Sequence, residues 1–189
     1  VTQPDPDGAG PLARPVPPFA YDLAGNVVAT TDVRGNRTRS SYDDLNRVET
    51  LTDAAGGISS FTYDAESNIL TSTDERGRTT AFAYDALNRR VRTTQPDPDG
   101  SGPLAAPVWL FAYDALGNLV STTDPRNGET TYSYDVLNRR SGSTDARGGV
   151  TTVGYDAVGN VVSSTDGLDR VTTYVYDALD RRIRVVQPD

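Results

Sequence analysis

The chain alternates short stretches rich in valine, threonine and aromatic residues with short stretches rich in aspartate, glycine, asparagine and arginine. In residues 26–43, for example, VVATT and RTRSSY flank the polar segment TDVRGN. β-Branched and aromatic residues favour extended strands, whereas aspartate and glycine favour tight turns. No stretch repeats its apolar residues with the 3.6-residue period of a helix. The pattern therefore predicts strands of six or seven residues joined by short turns, and essentially no helix.

The pattern of strands and turns recurs along the whole chain. A Tyr-Asp pair marks each repeat, and six of the seven spacings between these pairs are 21 residues, whereas the other is 29, across an insert at 95–103. Six of the pairs are followed, ten residues later, by a Thr-Asp pair. Each repeat is therefore predicted to be one β-hairpin. The predicted structural repeat positions are Tyr21, Asp22, Tyr42, Asp43, Tyr63, Asp64, Tyr84, Asp85, Tyr113, Asp114, Tyr134, Asp135, Tyr155, Asp156, Tyr176 and Asp177.

A longer period of 92 residues lies over the shorter one, because TQPD begins at residues 2 and 94 and VQPD begins at residue 186. This period predicts a first superunit of four repeats at 1–92, a second at 93–184, and the start of a third at 185–189. Within each superunit, turns that read GN or SN alternate with turns that read NR or DR. Successive hairpins are therefore expected to differ in direction or packing.

The predicted sheet is long and thin. Sixteen strands spaced about 4.8 Å apart extend roughly 77 Å, and a twisted sheet of that length is expected to curl. Large aliphatic residues are few, so neither face resembles half of a sandwich core. The predicted fold is an all-β repeat solenoid of stacked antiparallel hairpins that forms a curved sheet, part of a shell or spiral. Its two open strand edges favour self-association.

Composition excludes several classes of function. The 26 acidic and 18 basic residues give a net charge of −8, which repels nucleic acid phosphates. The chain contains no cysteine, so neither a disulfide framework nor a thiolate metal site is expected. No apolar run approaches the roughly 18 residues that would predict membrane insertion. Because the chain also lacks methionine, we interpret it as a piece of a longer protein.

The repeated aspartates invite an enzymatic interpretation, since paired carboxylates perform acid–base catalysis. A catalytic residue is normally single, however, and these aspartates occupy one repeat position eight times. Histidine and cysteine, the usual bases and nucleophiles, are absent. The sequence therefore predicts a turn-forming role, no catalytic residue, no cofactor and no enzymatic activity.

The QPDPDG segments, which contain Asp5, Asp7, Asp97 and Asp99, suggest a calcium loop. Aspartates two residues apart and followed by glycine resemble the start of an oxygen-ligand loop, but the remaining ligands are missing. The alternative is a proline-stiffened connection with aspartates capping its turns. We predict weak or no calcium binding.

Aromatic and arginine residues raise two further alternatives. Tyrosine rings stack on sugars, but rings packed between hairpins cannot, and packing is the favoured interpretation. Trp109 is either an exposed contact point or a cover for the insert, and the second is favoured. The arginine pairs after the turns are predicted to bind turn aspartates of neighbouring hairpins; these pairs are Arg89 and Arg90, Arg139 and Arg140, and Arg181 and Arg182.

The units YDALGN, YDALNRR and TDxRG, at 21-residue spacing, resemble the YD repeats of bacterial Rhs proteins, of insecticidal ABC-type toxin complexes and of animal teneurins. The resemblance implies a β-spiral shell that encloses a C-terminal toxin or effector domain. Implied partners are other YD repeats of the same chain and the enclosed toxin, and the implied location is secreted or at the cell surface. The alternative is an extended surface adhesin or a carbohydrate-binding stalk.

Overall fold

The computed structural model of the chain describes residues 18–100, 102 and 104–188. All regular secondary structure in these residues is β, as predicted. The strands are β1 Phe19–Tyr21, β2 Val27–Thr31, β3 Arg37–Tyr42, β4 Val48–Thr52, β5 Ile58–Tyr63, β6 Ile69–Thr73, β7 Thr79–Tyr84, β8 Arg90–Thr94, β9 Val108–Tyr113, β10 Leu119–Thr123, β11 Glu129–Tyr134, β12 Arg140–Thr144, β13 Val150–Tyr155, β14 Val161–Thr165, β15 Val171–Tyr176 and β16 Arg182–Val186.

The strands are slightly shorter than predicted. From β2 onward, strands of five residues alternate with strands of six, and β1 has three. The reason is that the aspartate after each tyrosine or threonine already belongs to the turn. Its N–H donates to the carbonyl four residues later, as between Asp135 and Arg139 at 2.9 Å. The strand therefore ends one residue earlier than the apolar pattern indicates.

Two compact units divide the strands. The first contains β1 to β7, and the second contains Arg90–Thr93 of β8 together with β9 to β16. Within each unit the strands pair antiparallel in chain order, as in β2 with β3 and β10 with β11. Consecutive hairpins are thus joined edge to edge, which confirms the predicted all-β architecture of stacked antiparallel hairpins.

Each described Tyr-Asp hairpin contains a β-bulge next to its turn. In β11 and β12, Ser133 pairs with Gly142 and Tyr134 pairs with Arg140, so Ser141 is the extra residue. Pairing across the Thr-Asp turns shows no such shift, as between β10 and β11. A bulge increases the local right-handed twist. In every repeat where this pairing is described, the extra residue lies on the strand after the turn, directly after the residue that pairs with the tyrosine.

The sheet has almost no enclosed core. Among the described residues, Ala29 is the one buried hydrophobic side chain, at 4% exposure. Hydroxyl pairs lie across neighbouring strands, including Ser41 with Thr50 at 2.7 Å and Thr62 with Thr71 at 2.6 Å. Cross-strand pairs of this kind are the unit of sheet stabilisation. The fold therefore depends on ladders of polar contacts, as expected for a sheet wetted on both faces.

The part of the chain that the structure describes contains no helix of the length and apolarity that crossing a membrane requires.

Candidate functional site

Turns that begin at the aspartate of a Tyr-Asp pair lie at one rim of each unit, and turns that begin at the aspartate of a Thr-Asp pair lie at the opposite rim. This separation follows from antiparallel strands paired in chain order, because alternate connections lie at opposite strand ends. The YD rim consists of turns 22–26, 43–47, 64–68 and 85–89 in the first unit and 114–118, 135–139, 156–160 and 177–181 in the second. The TD rim consists of turns 32–36, 53–57 and 74–78 in the first unit and 124–128, 145–149 and 166–170 in the second.

Each turn aspartate closes its own turn. In turn 135–139, the Asn138 N–H donates to the Asp135 carbonyl at 3.0 Å, and the Arg139 N–H donates to Asp135 Oδ1 at 3.0 Å. The Leu137 N–H also donates to Asp135 Oδ1, at 2.9 Å. A carboxylate that bonds the backbone two and four residues later mimics and reinforces the turn. The bond from the N–H of the third residue after the aspartate to the aspartate carbonyl recurs in all fourteen described Tyr-Asp and Thr-Asp turns.

The third residue after each aspartate adopts the left-handed conformation. Asn138 has φ 59°, and Gly117 at the same position of the preceding YD-rim turn has φ 90°. This is the backbone of a three-residue hairpin loop, a type I turn followed by a left-handed residue. Only glycine adopts that conformation freely, although asparagine and aspartate tolerate it. The GN, SN, NR and DR signatures in the sequence therefore mark one conformational requirement, which is met by glycine, serine, asparagine or aspartate.

On the YD rim, the fourth residue after the aspartate supplies the side-chain donor for the second carboxylate oxygen, Oδ2. Arg139 Nε lies 2.7 Å from Asp135 Oδ2, and the Asn118 amide donates to Asp114 Oδ2 at 2.9 Å. These arginines were predicted to pair with turn aspartates of neighbouring hairpins, but the ion pairs of Arg89, Arg139 and Arg181 are with the aspartates of their own turns. The reason is that the turn returns the arginine beside the aspartate that begins it. The ion pairs on the YD rim are Arg47–Asp43, Arg89–Asp85, Arg139–Asp135 and Arg181–Asp177.

These hydrogen bonds favour the ionised carboxylate. The Arg89 side chain is the main cause of the lowered pKa of Asp85. The Asn26 amide has the same effect on the pKa of Asp22, and the Arg47 backbone N–H on the pKa of Asp43. A carboxyl that acts as a general acid needs a raised pKa. In these three turns the aspartates accept hydrogen bonds that stabilise the turn.

Side chains on the YD rim link each turn to the next in alternating ways. The Asn118 amide donates both to Asp114 and to Asn138 Oδ1, the latter at 3.1 Å. From the next turn, Arg139 Nη1 donates to the Asp156 carbonyl at 3.3 Å. In the first unit, the corresponding links are Asn26 to Asn46 at 2.7 Å, Arg47 to Asp64 at 2.7 Å and Asn68 to Asn88 at 2.9 Å. This alternation explains why the sequence alternates GN and NR turns.

The repeated tyrosine connects one hairpin to the preceding hairpin. The Tyr134 hydroxyl donates to the Leu119 carbonyl at 2.9 Å, and the Tyr155 hydroxyl donates to the Arg140 carbonyl at 2.9 Å. The acceptor lies fifteen residues earlier in each case, except for Tyr113, whose acceptor Arg90 lies across the insert. The remaining bonds of this row are Tyr42 to Val27, Tyr63 to Val48, Tyr84 to Ile69 and Tyr176 to Val161.

Arginines cover several aromatic rings. The Arg139 guanidinium lies 4.4 Å from the centroid of the Tyr155 ring, and the Arg140 guanidinium lies 4.2 Å from that of Tyr132. Such cation–π contacts stabilise both partners by about 0.5–1 kcal/mol at exposed sites. The second arginine of the pair contacts a ring at Arg140, Arg90 and Arg182. A guanidinium thus covers one face of each of these rings. Trp109 is half-buried within β9.

The second QPDPDG segment uses its carboxylates locally. The Leu104 N–H donates to Asp99 Oδ2 at 3.1 Å, and the Asp99 N–H donates to Asp97 Oδ1 at 3.2 Å. Asp5 and Asp7 lie outside the described residues. Within the described ranges, no group of three or more acidic, histidine or cysteine side chains is arranged to hold a metal ion. Weak or absent calcium binding remains a prediction.

Sequence reasoning missed the tyrosine hydroxyl bonds and the arginine–ring contacts. It identified the tyrosine from its spacing but assigned the ring, and not the hydroxyl, as the contact. Two signals could have corrected this. The fixed offset between each tyrosine and a strand start fifteen residues earlier was visible, and so was the doubling of arginine after the NR turns.

This geometry defines the class: an antiparallel hairpin repeat in which each turn is closed by its own aspartate and linked to its neighbours along one rim. The RHS Repeat family matches residues 21–58, 62–101, 113–150 and 155–189, which is most of the chain. The chain therefore belongs to the RHS repeat family. No curated protein sequence matches it.

Solved structures share the fold. A mutated Tc holotoxin pore from Photorhabdus luminescens is 20% identical with a TM-score of 0.59, over 88% of this chain and 9% of that chain. The TcdB2-TccC3 complex is 19% identical with a TM-score of 0.52, over 90% of this chain and 11% of that one. The same complex without its hypervariable C-terminal region is 20% identical with a TM-score of 0.53, over 88% of this chain and 11% of that one. The chain thus spans about a tenth of these larger proteins.

Proposed function

We propose that the chain is a non-catalytic wall segment of a β-shell, and that the shell encloses a C-terminal toxin or effector domain of the same exported Rhs-type protein. The observation that carries this proposal is the linkage of successive YD-rim turns within each unit. Each of these turns bonds its own residues, and side-chain hydrogen bonds join it to the next YD-rim turn of the same unit, as Asn118 does with Asn138. A structure built in this way extends by adding hairpins, which is what a wall requires.

Membership of the RHS repeat family and the fold shared with Tc complexes support a structural role. The chemistry of the site also supports a structural role, because the repeated carboxylates accept hydrogen bonds within their own turns. The Tyr-Asp positions are therefore proposed to be structural repeat positions, with partners in neighbouring repeats of the same chain. The secreted or cell-surface location is part of the same proposal.

The contacts of the aromatic rings favour a wall over a carbohydrate-binding stalk. A sugar platform needs an accessible ring face, whereas Tyr63 and Tyr155 lie under Arg47 and Arg139. Their hydroxyls are also occupied, by the carbonyls of Val48 and Arg140. A surface adhesin is the remaining alternative.

Electron microscopy of the full-length parent chain, combined with limited proteolysis, tests the proposal. The expected result is a hollow particle whose C-terminal domain resists a protease that cleaves the same domain after denaturation in urea. The matched control is the isolated C-terminal domain in native buffer, which has to be cleaved if protection comes from the wall. An open rod, or a C-terminal domain cleaved as fast in the parent as in isolation, would contradict encapsulation and favour the adhesin.

A further inference from the structure

The YD rim of the second unit carries a row of exposed aliphatic side chains. They stand two residues after each turn aspartate and are 62–75% exposed; they are Leu116, Leu137, Val158 and Leu179. The equivalent positions of the TD rim hold Arg126, Arg147 and Leu168. One rim is therefore uniformly aliphatic at this position, whereas the opposite rim is mainly basic.

The turn itself does not require these aliphatic side chains. Leu137 contributes its backbone N–H to Asp135, and Val158 does the same for Asp156. Arg126 on the TD rim makes the same backbone bond to Asp124 at 2.8 Å. A charged residue thus fits the position equally well. Exposed rows of large apolar side chains on soluble proteins mark interaction sites.

The spacing of the row restricts what covers it. Successive YD-rim turns are two strands apart, or about 9.6 Å. They are held at this spacing by the Asn118–Asn138, Arg139–Asp156 and Asn160–Asp180 hydrogen bonds. A partner that meets every aliphatic side chain needs apolar groups at the same interval. The YD rim of a second copy of this chain has that interval.

Charge alternates along the same rim. Turn 156–160 contains one carboxylate and no arginine, and turn 114–118 has the same composition. Turn 135–139 contains Asp135 and Arg139 and is followed by Arg140, which makes this stretch net positive. An acidic turn therefore alternates with a basic or neutral turn in the second unit.

The alternation selects the direction of pairing. In an antiparallel arrangement about a two-fold axis, the second turn of one copy faces the third turn of the other, so basic 135–139 meets acidic 156–160. A parallel arrangement in register would place turns 114–118, 135–139 and 156–160 each opposite a turn of the same charge. We propose that the YD rim of the second unit docks antiparallel against the same rim of a second copy, with the aliphatic side chains between the two rims.

Sedimentation velocity over a series of concentrations tests whether the rim forms a dimer. The wild-type chain is expected to dimerise, and the double variant Leu137→Glu, Val158→Glu is expected to raise the dimer dissociation constant at least about tenfold, equivalent to about 1.4 kcal/mol. The matched control is Leu168→Glu, an exposed leucine at the same turn position of the TD rim, which should leave the dimer intact. Circular dichroism verifies that both variants keep their β-structure. A monomeric wild-type chain, or a dimer equally weakened by Leu168→Glu, overturns the proposal.

Disulfide cross-linking tests the direction of pairing, because the chain has no cysteine of its own. A Leu137→Cys chain and a Val158→Cys chain are oxidised separately and as a mixture. Antiparallel docking predicts cross-linked dimers mainly in the mixture, since these two positions face each other only between copies. Efficient cross-linking of each variant alone would refute the antiparallel arrangement. Neither assay reads protection of a C-terminal domain, so its failure is distinct from failure of the proposed wall function.

Discussion

The tyrosine of the repeat is predicted to stabilise the sheet through its hydroxyl. In a Tyr134→Phe variant, the ring remains in place, but the hydrogen bond to the Leu119 carbonyl, 2.9 Å long and partly buried, is lost. A net hydrogen bond contributes about 0.5–1.5 kcal/mol. We therefore expect the free energy of unfolding to fall by about 1 kcal/mol, which corresponds to a decrease of about 2–4 °C in Tm for a chain of this size.

Urea unfolding followed by circular dichroism measures this difference, provided that the slope of free energy against urea is unchanged. Tyr132→Phe is the matched control on the same strand. Its hydroxyl lies 3.2 Å from the Thr122 hydroxyl, and other repeats place Phe61, Phe82 and Phe111 at this position. The control is expected to lose no more than about 0.5 kcal/mol, the lower end of the range.

Equal stability of Tyr134→Phe and the wild-type chain would refute this reasoning. So would an equal loss in both variants, because it would show that any phenolic hydroxyl on the strand contributes in the same way. Hairpins linked only to their neighbours can also unfold in part. The two variants therefore have to be compared at the same transition.

Four further predictions concern the turns and the loop. Asn138→Ala is expected to lower the unfolding free energy about 1–2 kcal/mol more than Asn138→Gly in urea unfolding, because alanine resists φ 59°; equal losses would contradict a conformational cause. Asp135→Ala is expected to lose about 2 kcal/mol in the same assay, since two backbone donors and Arg139 lose their acceptor. The pKa of Asp85 lies below its ordinary value of 3.8, so ionised Asp85 stabilises the fold fully above pH 3.8. This contribution to the unfolding free energy is lost as the pH falls through the pKa of the folded form. An unfolding free energy that is flat from pH 5 to pH 2 would contradict this prediction. Calorimetric titration of calcium is expected to show weak or no binding at Asp97 and Asp99, and micromolar affinity would overturn that expectation.

Much of the fold was predictable, because both the spacing and the residue types of the repeat are regular. Strand identity follows from stretches such as VVATT, and turn position follows from each Asp with a Gly or Asn three residues later. These are local requirements that one repeat already satisfies. The 92-residue superunits stay a prediction, since the two compact units divide the described strands by contact rather than by sequence period.

The partners of the rim side chains were not predictable from spacing alone. Arg139 was expected to pair with a turn aspartate of a neighbouring hairpin, yet its Nε binds the carboxylate of Asp135 in its own turn, and its Nη1 reaches the next turn at the backbone carbonyl of Asp156. The choice depends on how far the turn folds back and on the bulge at Ser141. Both are details of backbone geometry that the spacing of residues does not contain.

The acceptors of the tyrosine hydroxyls have a consequence for how such chains evolve. For the tyrosines of the Tyr-Asp pairs from Tyr42 onward, the acceptors are backbone carbonyls, and the residues that supply them include Val27, Ile69, Arg90 and Leu119. A carbonyl is present whatever the side chain, so a duplicated or recombined hairpin meets a compatible neighbour without any compensating mutation. Tyr113 keeps this bond although the insert separates it from Arg90. Gene duplication and insertion can therefore lengthen or decorate the repeat array while the junction between hairpins stays the same.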